Sequence, residues 1–345
     1  MRFGTAVGVK AATLWLPDER ESAAEEARRR PSAFDPARLG VSELPVSTRY
    51  AAPELAVLAA AEALKRADWP AERLGYLVHG WLYHQGHDFW SPAHYIAARL
   101  GAHEALPFGV QQMSNGGALA LELCATRLLA VPELRSALAT TADRFSPPGF
   151  DRWAGDYDVA YGDAGAAVLL GRSGPADVLQ LLSMSSLAVP ELEVMFRGDD
   201  GFSSAPLEHA APIDIRRPKK AFLAAGGMSG LSALGPAKVH AVLTTALAEA
   251  GIDPHDERIR CIALPRLGPR TLDEMYLPVI RSTVKAEPVH LGAGTGHLGA
   301  GDFLANLADV VGAGLLQPGE IAVVIGGGGG FTLSCVVVSA PERRS

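Results

Sequence analysis

The stretch Tyr161-Gly162-Asp163-Ala164-Gly165-Ala166-Ala167-Val168-Leu169-Leu170 has a counterpart near the end of the chain, Gly328-Gly329-Gly330-Phe331-Thr332-Leu333-Ser334-Cys335-Val336-Val337. Each is a glycine-rich turn feeding an apolar run that suits a buried strand. Because each closes one half of the chain, the pair points to an internal duplication, with residues 1–172 as one half and 173–345 as the other. Working outward, helix-like Pro53–Ala67, Ser91–Leu100 and Gly116–Ala130 alternate with strand-like Leu77–Gly80 and Val110–Met113. That alternation predicts an α/β fold with largely parallel strands. Residues 189–218 lack periodicity and are rich in Pro, Gly and charge, which predicts an ordered insertion or cap over a site. Residues 17–39, with the run Glu25-Glu26-Ala27-Arg28-Arg29-Arg30, read as a solvated helix and loop.

The chain has 345 residues, 48% hydrophobic and 20% charged, enough apolar material for two domain-sized cores. Disordered and fibrous classes are excluded on that ground. Lys and Arg number 31 against 38 Asp and Glu, a net charge of -7, and no basic tract is present. Nucleic acid is therefore not an expected partner. Cys124, Cys261 and Cys335 lie far apart with no CxxC spacing, so neither a metal site nor a disulfide framework is expected, and a reducing, cytoplasmic setting fits. The N-terminal sequence does not resemble a signal peptide. The uncharged run Ile321–Ala340 is long enough for a membrane helix, but Gly326–Gly330 at its middle makes strand, tight turn and strand the expected reading, with no membrane span.

Ser114 follows the strand-like run and precedes Asn115-Gly116-Gly117 and a long apolar helix. A side chain at a strand-to-helix turn projects into a cleft near a helix N-terminus, an address that suits a nucleophile; the plainer role there is to cap the helix. The G-x-S-x-G elbow of ordinary esterases is absent. His297 stands in Gly294-Thr295-Gly296-His297-Leu298-Gly299-Ala300-Gly301-Asp302, where small residues allow close approach and an imidazole suits a general base. Asp302 is placed to take the other ring N–H, although a lone loop histidine is more often structural. Gly294, Gly296 and Gly299 also match the dinucleotide pattern G-x-G-x-x-G, but too few βαβ units follow to support it. His79, His84, His87 and His94 cluster without a metal-binding spacing, and with Trp81, Tyr83, Phe89 and Trp90 they read better as a channel lining. Arg49, Arg144, Arg152 and Trp153 are candidates for gripping a phosphorylated ligand by bidentate contacts and stacking, against the default of solvated arginines.

Met113-Ser114-Asn115-Gly116-Gly117 resembles the nucleophile turn of ketosynthase III (3-oxoacyl-ACP synthase III) enzymes of the thiolase superfamily, where a cysteine stands at the place of Ser114. Tyr161–Ala167 resembles the family's F-G-D-G-A-G-A turn, and Gly328–Thr332 its G-G-G-[LF]-T turn. Ser91-Pro92 through Leu100-Gly101 is similar to the segment beside its dimer interface. The resemblance spans nearly the whole chain and implies a five-layered α-β-α-β-α thiolase fold, two pseudo-repeated α/β halves with buried helices between two sheets, acting as a homodimer. It implies Ser114, His297 and Asp302 as catalytic residues, and backbone N–H groups of Ser114 and of Gly329 or Gly330 as an oxyanion hole. Arg49, Phe89, Arg152 and Trp153 become the expected substrate contacts.

Two departures touch the chemistry. The family carries His in an H-Q-A-N motif and Asn in a G-N-T turn, and this pair promotes decarboxylation of a malonyl acceptor. Here the first motif reads Leu264-Pro265-Arg266-Leu267, and the second, Gly296-His297-Leu298, has His in place of Asn. Such members resemble starter-unit synthases and acyltransferases of actinobacterial polyketide pathways, including the serine-dependent priming enzymes of anthracycline-type (daunorubicin-like) systems. The implied activity needs no cofactor or metal: a short acyl group such as propionyl passes from acyl-CoA to Ser114 and then to malonyl on an acyl carrier protein. Simple transfer to a hydroxyl, amine or carrier thiol is the alternative favoured by the missing decarboxylation pair, and the serine resemblance tips the expectation narrowly to priming. A non-catalytic scaffold, or an engineered replacement of cysteine at position 114, would share the same fold.

Overall fold

The computed structural model of the chain describes residues 1–31 and 33–342. Twelve strands follow in chain order: β1 (Arg2–Trp15), β2 (Arg20–Ser22), β3 (Glu43–Pro45), β4 (Tyr76–Gly80), β5 (Leu106–Val110), β6 (Ser136–Asp143), β7 (Ala164–Arg172), β8 (Leu179–Ala188), β9 (Ile259–Ala263), β10 (Pro288–Val289), β11 (Ile321–Gly328) and β12 (Thr332–Ser339). Ten of them form one sheet in the order β10-β9-β11-β12-β8-β1-β7-β6-β4-β5. On one side of the sheet β5, β4 and β6 run parallel, and β7 and β1 close it antiparallel. On the other side β10, β9 and β11 run parallel, with β12 and β8 antiparallel. Each five-strand set thus has the spatial order third, second, fourth, fifth, first.

The expectation of two sheets is corrected in one respect. β1 and β8, the first strands of the two sets, pair antiparallel and join them into a single hydrogen-bonded sheet. Unpaired strand edges expose main-chain donors and acceptors, and pairing these two removes both edges. The strand expected at Val110–Met113 also lies earlier, at Leu106–Val110 in parallel register with β4. Met113, with φ +49, leaves the extended region and begins a turn instead.

Strands such as β7, β11 and β12 are buried on both faces, which explains their nearly continuous apolar sequences. Along β7 the alternation is explicit: Ala166, Val168 and Leu170 face an inner core, while Ala167 and Leu169 face an outer one. The inner core holds two helices, Gly116–Ala130 with Ala118, Leu121, Cys124 and Leu128, and Asp302–Gly312 with Phe303, Leu304, Leu307 and Val310. Outside the first set, the helices Ala52–Arg66 and Pro92–Leu100 pack Leu55, Ala59 and Ile96 on Leu77, Leu138 and Leu169. Outside the second, the helices Gly227–Ala250 and Leu277–Thr283 pack Val239, Leu243 and Ile280 on Ile262, Val323 and Val337. Helix, sheet, helix, sheet, helix is the five-layered thiolase arrangement.

Between β8 and the Gly227–Ala250 helix, the chain forms short helices at Val194–Arg197 and Arg216–Ala224 around an irregular loop. Ile213 and Ile215 donate their N–H groups to the carbonyls of Gly149 and Gly155, lashing this segment to the loop before β7. Gly326–Gly328 end β11 and the chain turns directly into β12, so the uncharged run is two paired strands. Among the described residues, no helix is long and apolar enough to cross a membrane.

His79 on β4 is fully buried, with Nδ1 3.1 Å from Thr140 Oγ1 and Nε2 3.2 Å from Gln85 Oε1. Burial pushes its imidazole down to about 4, against the opposing pull of those bonds. The unfolded chain, with histidine near its ordinary value of about 6.5, binds the proton more readily, so stability present at neutral pH is lost as pH falls from about 6.5 towards 4, by up to about 3 kcal/mol. Urea unfolding across that range is expected to show stability falling further with pH in the wild type than in His79→Gln, the difference between the two curves reporting the buried imidazole.

Candidate active site

Ser114 sits on the turn between β5 and the Gly116–Ala130 helix. The turn is closed by Asn115 N–H on the Gln112 carbonyl and Gly116 N–H on the Met113 carbonyl, both at 3.0 Å. Met113, one residue before Ser114, holds a left-handed backbone that non-glycine residues seldom adopt, a strain that tends to collect at functional turns. Ser114 does not cap the helix: Asn115 is the N-cap residue, and the Ser114 hydroxyl goes elsewhere. Its Oγ lies 2.7 Å from His297 Nε2.

His297 comes from the turn before the Asp302–Gly312 helix, 183 residues away. Its Nδ1 is 2.6 Å from Asp302 Oδ2. Asp302 also accepts the Leu298 N–H at 2.8 Å on Oδ1 and the Arg266 N–H at 3.0 Å on Oδ2. A carboxylate holding two N–H donors takes Nδ1–H from the ring as the third, which leaves Nε2 as a lone-pair acceptor facing the serine hydroxyl. His297 and Asp302 are 3% exposed, so this alignment is shielded from competing water. Ser114, half-buried, is reachable.

Close packing of the two turns needs residues without side chains. A Cβ on Gly117 would stand 2.6 Å from the Ala300 carbonyl oxygen, so only glycine lets the serine helix reach the histidine turn. On the other wall, a Cβ on Gly328 would stand 2.9 Å from Ser114 N and 2.5 Å from Asn115 N. The glycine lying against the Ser114 N–H is Gly328, next to Gly329 and Gly330, one of whose N–H groups is the expected second oxyanion donor. Gly329 points the other way, onto the Phe196 ring, and Gly330 turns left-handed with open space at its Cβ position.

Of the expected substrate contacts, Arg152 and Trp153 are corrected. Arg152 is buried and donates from Nη1 and Nη2 to the two Asp163 oxygens at 3.0 and 3.1 Å. Burial pushes the Asp163 carboxyl up, an effect offset by Arg152 and by the N–H groups of Ser47 and Phe145. Trp153 is 1% exposed, stacked on Phe34 with its indole N–H on Glu21. Both are occupied inside the protein and neither is free for a ligand. Arg49 is exposed, 5.0 Å over the Tyr50 ring, and Phe89 is fully exposed, with no bond to the triad. Within the predicted channel lining His79 stacks on Trp81 and His87 meets Trp90 edge-on, while Tyr83 stacks on Phe145. Among the described residues, no group of three His, Cys, Asp or Glu is placed to hold a metal ion.

Beside the triad, sequence reading missed Asp143 and the partners of Arg266. Asp143, buried at the end of β6, accepts N–H bonds from Leu82, Tyr83 and Ala300 at 2.7 to 3.1 Å, tying the loop after β4 to the histidine turn. Burial pushes it up to about 7 despite those donors. Arg266, fully buried, spends Nε on Asn306, Nη1 on Thr295 and Nη2 on Asp309. Their partners lie 29 to 157 residues away, and no local pattern announces them. A cavity of about 420 Å³ lies in the 196–218 segment, lined by Phe196, Phe202, Leu207 and Arg217 among others, but by none of the triad.

No protein-family model matches the chain, and no curated protein does. Solved structures do. One described as ChlB3, an acyltransferase, is 31% identical and superposes with a TM-score of 0.86, covering 98% of each chain. A 3-oxoacyl-[acyl-carrier-protein] synthase III from Aquifex aeolicus VF5 is 18% identical with a TM-score of 0.74, covering 96% of this chain and 99% of that one. OleA from Xanthomonas campestris, solved with lauric acid and lauroyl-CoA bound, is 16% identical with a TM-score of 0.75, covering 97% and 99%.

Because Arg152 is paired internally, Arg152→Met is expected to leave Asp163 as an unpaired buried carboxylate and to cost about 3–5 kcal/mol in urea unfolding. A ligand contact would behave in the opposite way, with stability unchanged and ligand binding weakened.

Proposed function

The chain belongs to the ketosynthase III-like branch of the thiolase superfamily and is an enzyme of the acyltransferase and condensing type; from that premise we propose that it carries an acyl group from acyl-CoA on Ser114 and delivers it to a protic acceptor. Ser114 is the nucleophile, His297 the general base and Asp302 its orienter. As Oγ attacks the thioester carbonyl, its proton passes to Nε2. The imidazolium, stabilised by Asp302, then gives that proton to the departing CoA sulfur, and an ester on Ser114 remains. The Ser114 N–H, left uncovered by Gly328, and an N–H of the Gly329–Gly330 turn are the proposed oxyanion donors, each worth about 3 kcal/mol of barrier.

The orientation of His297 bears most on the acceptor. With Asp302 on Nδ1, the imidazole of the acyl-enzyme presents a lone pair, which takes a proton from a hydroxyl, amine or carrier thiol as it attacks. Decarboxylation of a malonyl group calls instead for donors to its developing enolate. Arg266, in the motif where the family has histidine, has its guanidinium nitrogens committed to Asn306, Thr295 and Asp309. Starter-unit condensation with malonyl carrier protein, the narrow expectation from sequence, thus loses ground to simple transfer. The proposed transfer calls on no cofactor or metal.

A homodimer is part of this reading. β5 ends the sheet with only β4 beside it, and its Leu106 and Phe108 are 58% and 49% exposed, an uncovered apolar edge of the kind that pairs with a second copy. Sedimentation showing a monomer at micromolar concentration would contradict it.

Mass spectrometry of the intact protein mixed with a panel of short acyl-CoAs is expected to show one acyl adduct. Ser114→Ala should show none, Ser114→Cys should retain it, and Asp302→Asn should form it about 10³- to 10⁴-fold more slowly, because the ring then loses its tautomer. A wild type that takes no acyl group from any donor would favour the scaffold alternative.

A further inference from the structure

We propose that Lys219, on the Arg216–Ala224 helix of the cap, is a positioning residue that braces the two walls of the active site at once. The inference rests on the acyl-serine reading above and concerns residues outside the triad. Lys219 Nζ donates to Asp156 Oδ1, and the other Asp156 oxygen accepts the Tyr161 hydroxyl at 2.8 Å. The Tyr161 ring meets the His297 imidazole edge-on, with centroids 5.2 Å apart. The backbones interlock as well: His297 N–H bonds the Ala160 carbonyl at 2.8 Å, and Gly162 N–H bonds the His297 carbonyl at 2.9 Å. The ring beside the catalytic base is therefore fixed at its far end by a carboxylate that Lys219 holds.

The second arm runs to the glycine turn. Lys219 Nζ lies 4.9 Å over the centroid of Phe196, a cation–π contact. Phe196 in turn packs where a Gly329 Cβ would be, its ring carbons 2.7 to 2.9 Å from that point. Gly328 faces Ser114 N and Gly329 faces Phe196, so Phe196 backs the turn from the side away from the nucleophile. One ammonium thus reaches His297 through Asp156 and Tyr161, and the Ser114 wall through Phe196.

Lys219, Asp156 and Tyr161 are 9%, 6% and 4% exposed. Burying a charged pair costs desolvation that an apolar pair of similar volume would avoid, so it is weak evidence for stability and better explained by fixed geometry. Burial, then the adjacent Asp156 carboxylate, push the Tyr161 phenol well above its ordinary value, so it stays a donor. Main-chain bonds from Ile213 and Ile215 already lash the cap to the 149–155 loop, which leaves the ammonium a role beyond attachment.

The test compares single-turnover acylation of wild type and Lys219→Met with whichever short acyl-CoA loads the wild type best. Misplacement of catalytic groups by an ångström costs on the order of 10²-fold. Lys219→Met is expected to lower the saturating rate by about 10- to 100-fold, with the KM for acyl-CoA moving less than about twofold. Tyr161→Phe cuts only the arm to His297 and Phe196→Leu only the arm to the turn. Each should lose part of the rate, and neither should add its full effect on top of Lys219→Met. If Lys219→Met does not fold, Asp156→Asn combined with Lys219→Met removes the unpaired carboxylate and should show the same loss of rate in a folded protein. A folded single or paired variant that acylates at the wild-type rate overturns the proposal and leaves the acyl-serine reading standing. A wild type that no acyl-CoA loads overturns both.

Discussion

The Asp302 carboxylate is the point from which the site hangs. It opens the helix Asp302–Gly312 inside the central layer, 3% exposed, and gathers Nδ1 of His297, the Leu298 N–H and the Arg266 N–H. Three donors on one buried carboxylate fix the turn, the ring plane and the tautomer together. If the carboxylate were removed, His297 would keep its place in the backbone bridge to Tyr161 but could rotate and protonate at either nitrogen. The Ser114 hydroxyl would then face a group of undefined character.

The duplicated sheet supplies the other constraint. Ser114, the proposed nucleophile, follows β5 in the first strand set, and His297, the proposed base, precedes the helix between β10 and β11 in the second, so the proposed chemistry requires the two sets to meet within a hydrogen bond. The β1–β8 pairing joins them edge to edge, and Gly117 lets the inner helices approach at Ala300. Asp143 stitches across the same seam, taking N–H bonds from Leu82 and Tyr83 of one set and Ala300 of the other. Small residues crowd this seam because any side chain there would separate serine from histidine.

Much of the architecture is legible in the sequence for a simple reason. Strands buried on both faces write themselves as apolar runs such as Val168–Leu170 and Val336–Val338, and the glycine turns before them repeat. Ser114, His297 and Asp302 stand out because the glycines around them let backbones approach closely, and the structure brings all three together. What escapes is set by distant partners. Arg152 and Trp153 look like ligand groups in isolation, and only the fold shows Asp163, Glu21 and Phe34 claiming them. Arg266 reads as a missing histidine, while its actual neighbours, Thr295, Asn306 and Asp309, lie a helix and a turn away. The Lys219, Asp156 and Tyr161 chain joins the Arg216–Ala224 helix to the loop before β7 across 63 residues of sequence. The strand stops at Val110, and the left-handed angle of Met113 that shapes the following turn is something composition does not reveal.

The orientation of His297 makes one chemical choice more than any other, between accepting a proton from an incoming acceptor and supporting a decarboxylating malonyl group. The direct measurement is release of labelled carbon dioxide when carboxyl-labelled malonyl carrier protein is added to the preformed acyl-enzyme, run beside transfer to an unmodified carrier thiol. An imidazole held by Asp302 with its Nε2 lone pair outward predicts acyl transfer to the thiol with no carbon dioxide above background. Stoichiometric carbon dioxide with a β-ketoacyl product would contradict it and restore priming condensation as the reaction of this site.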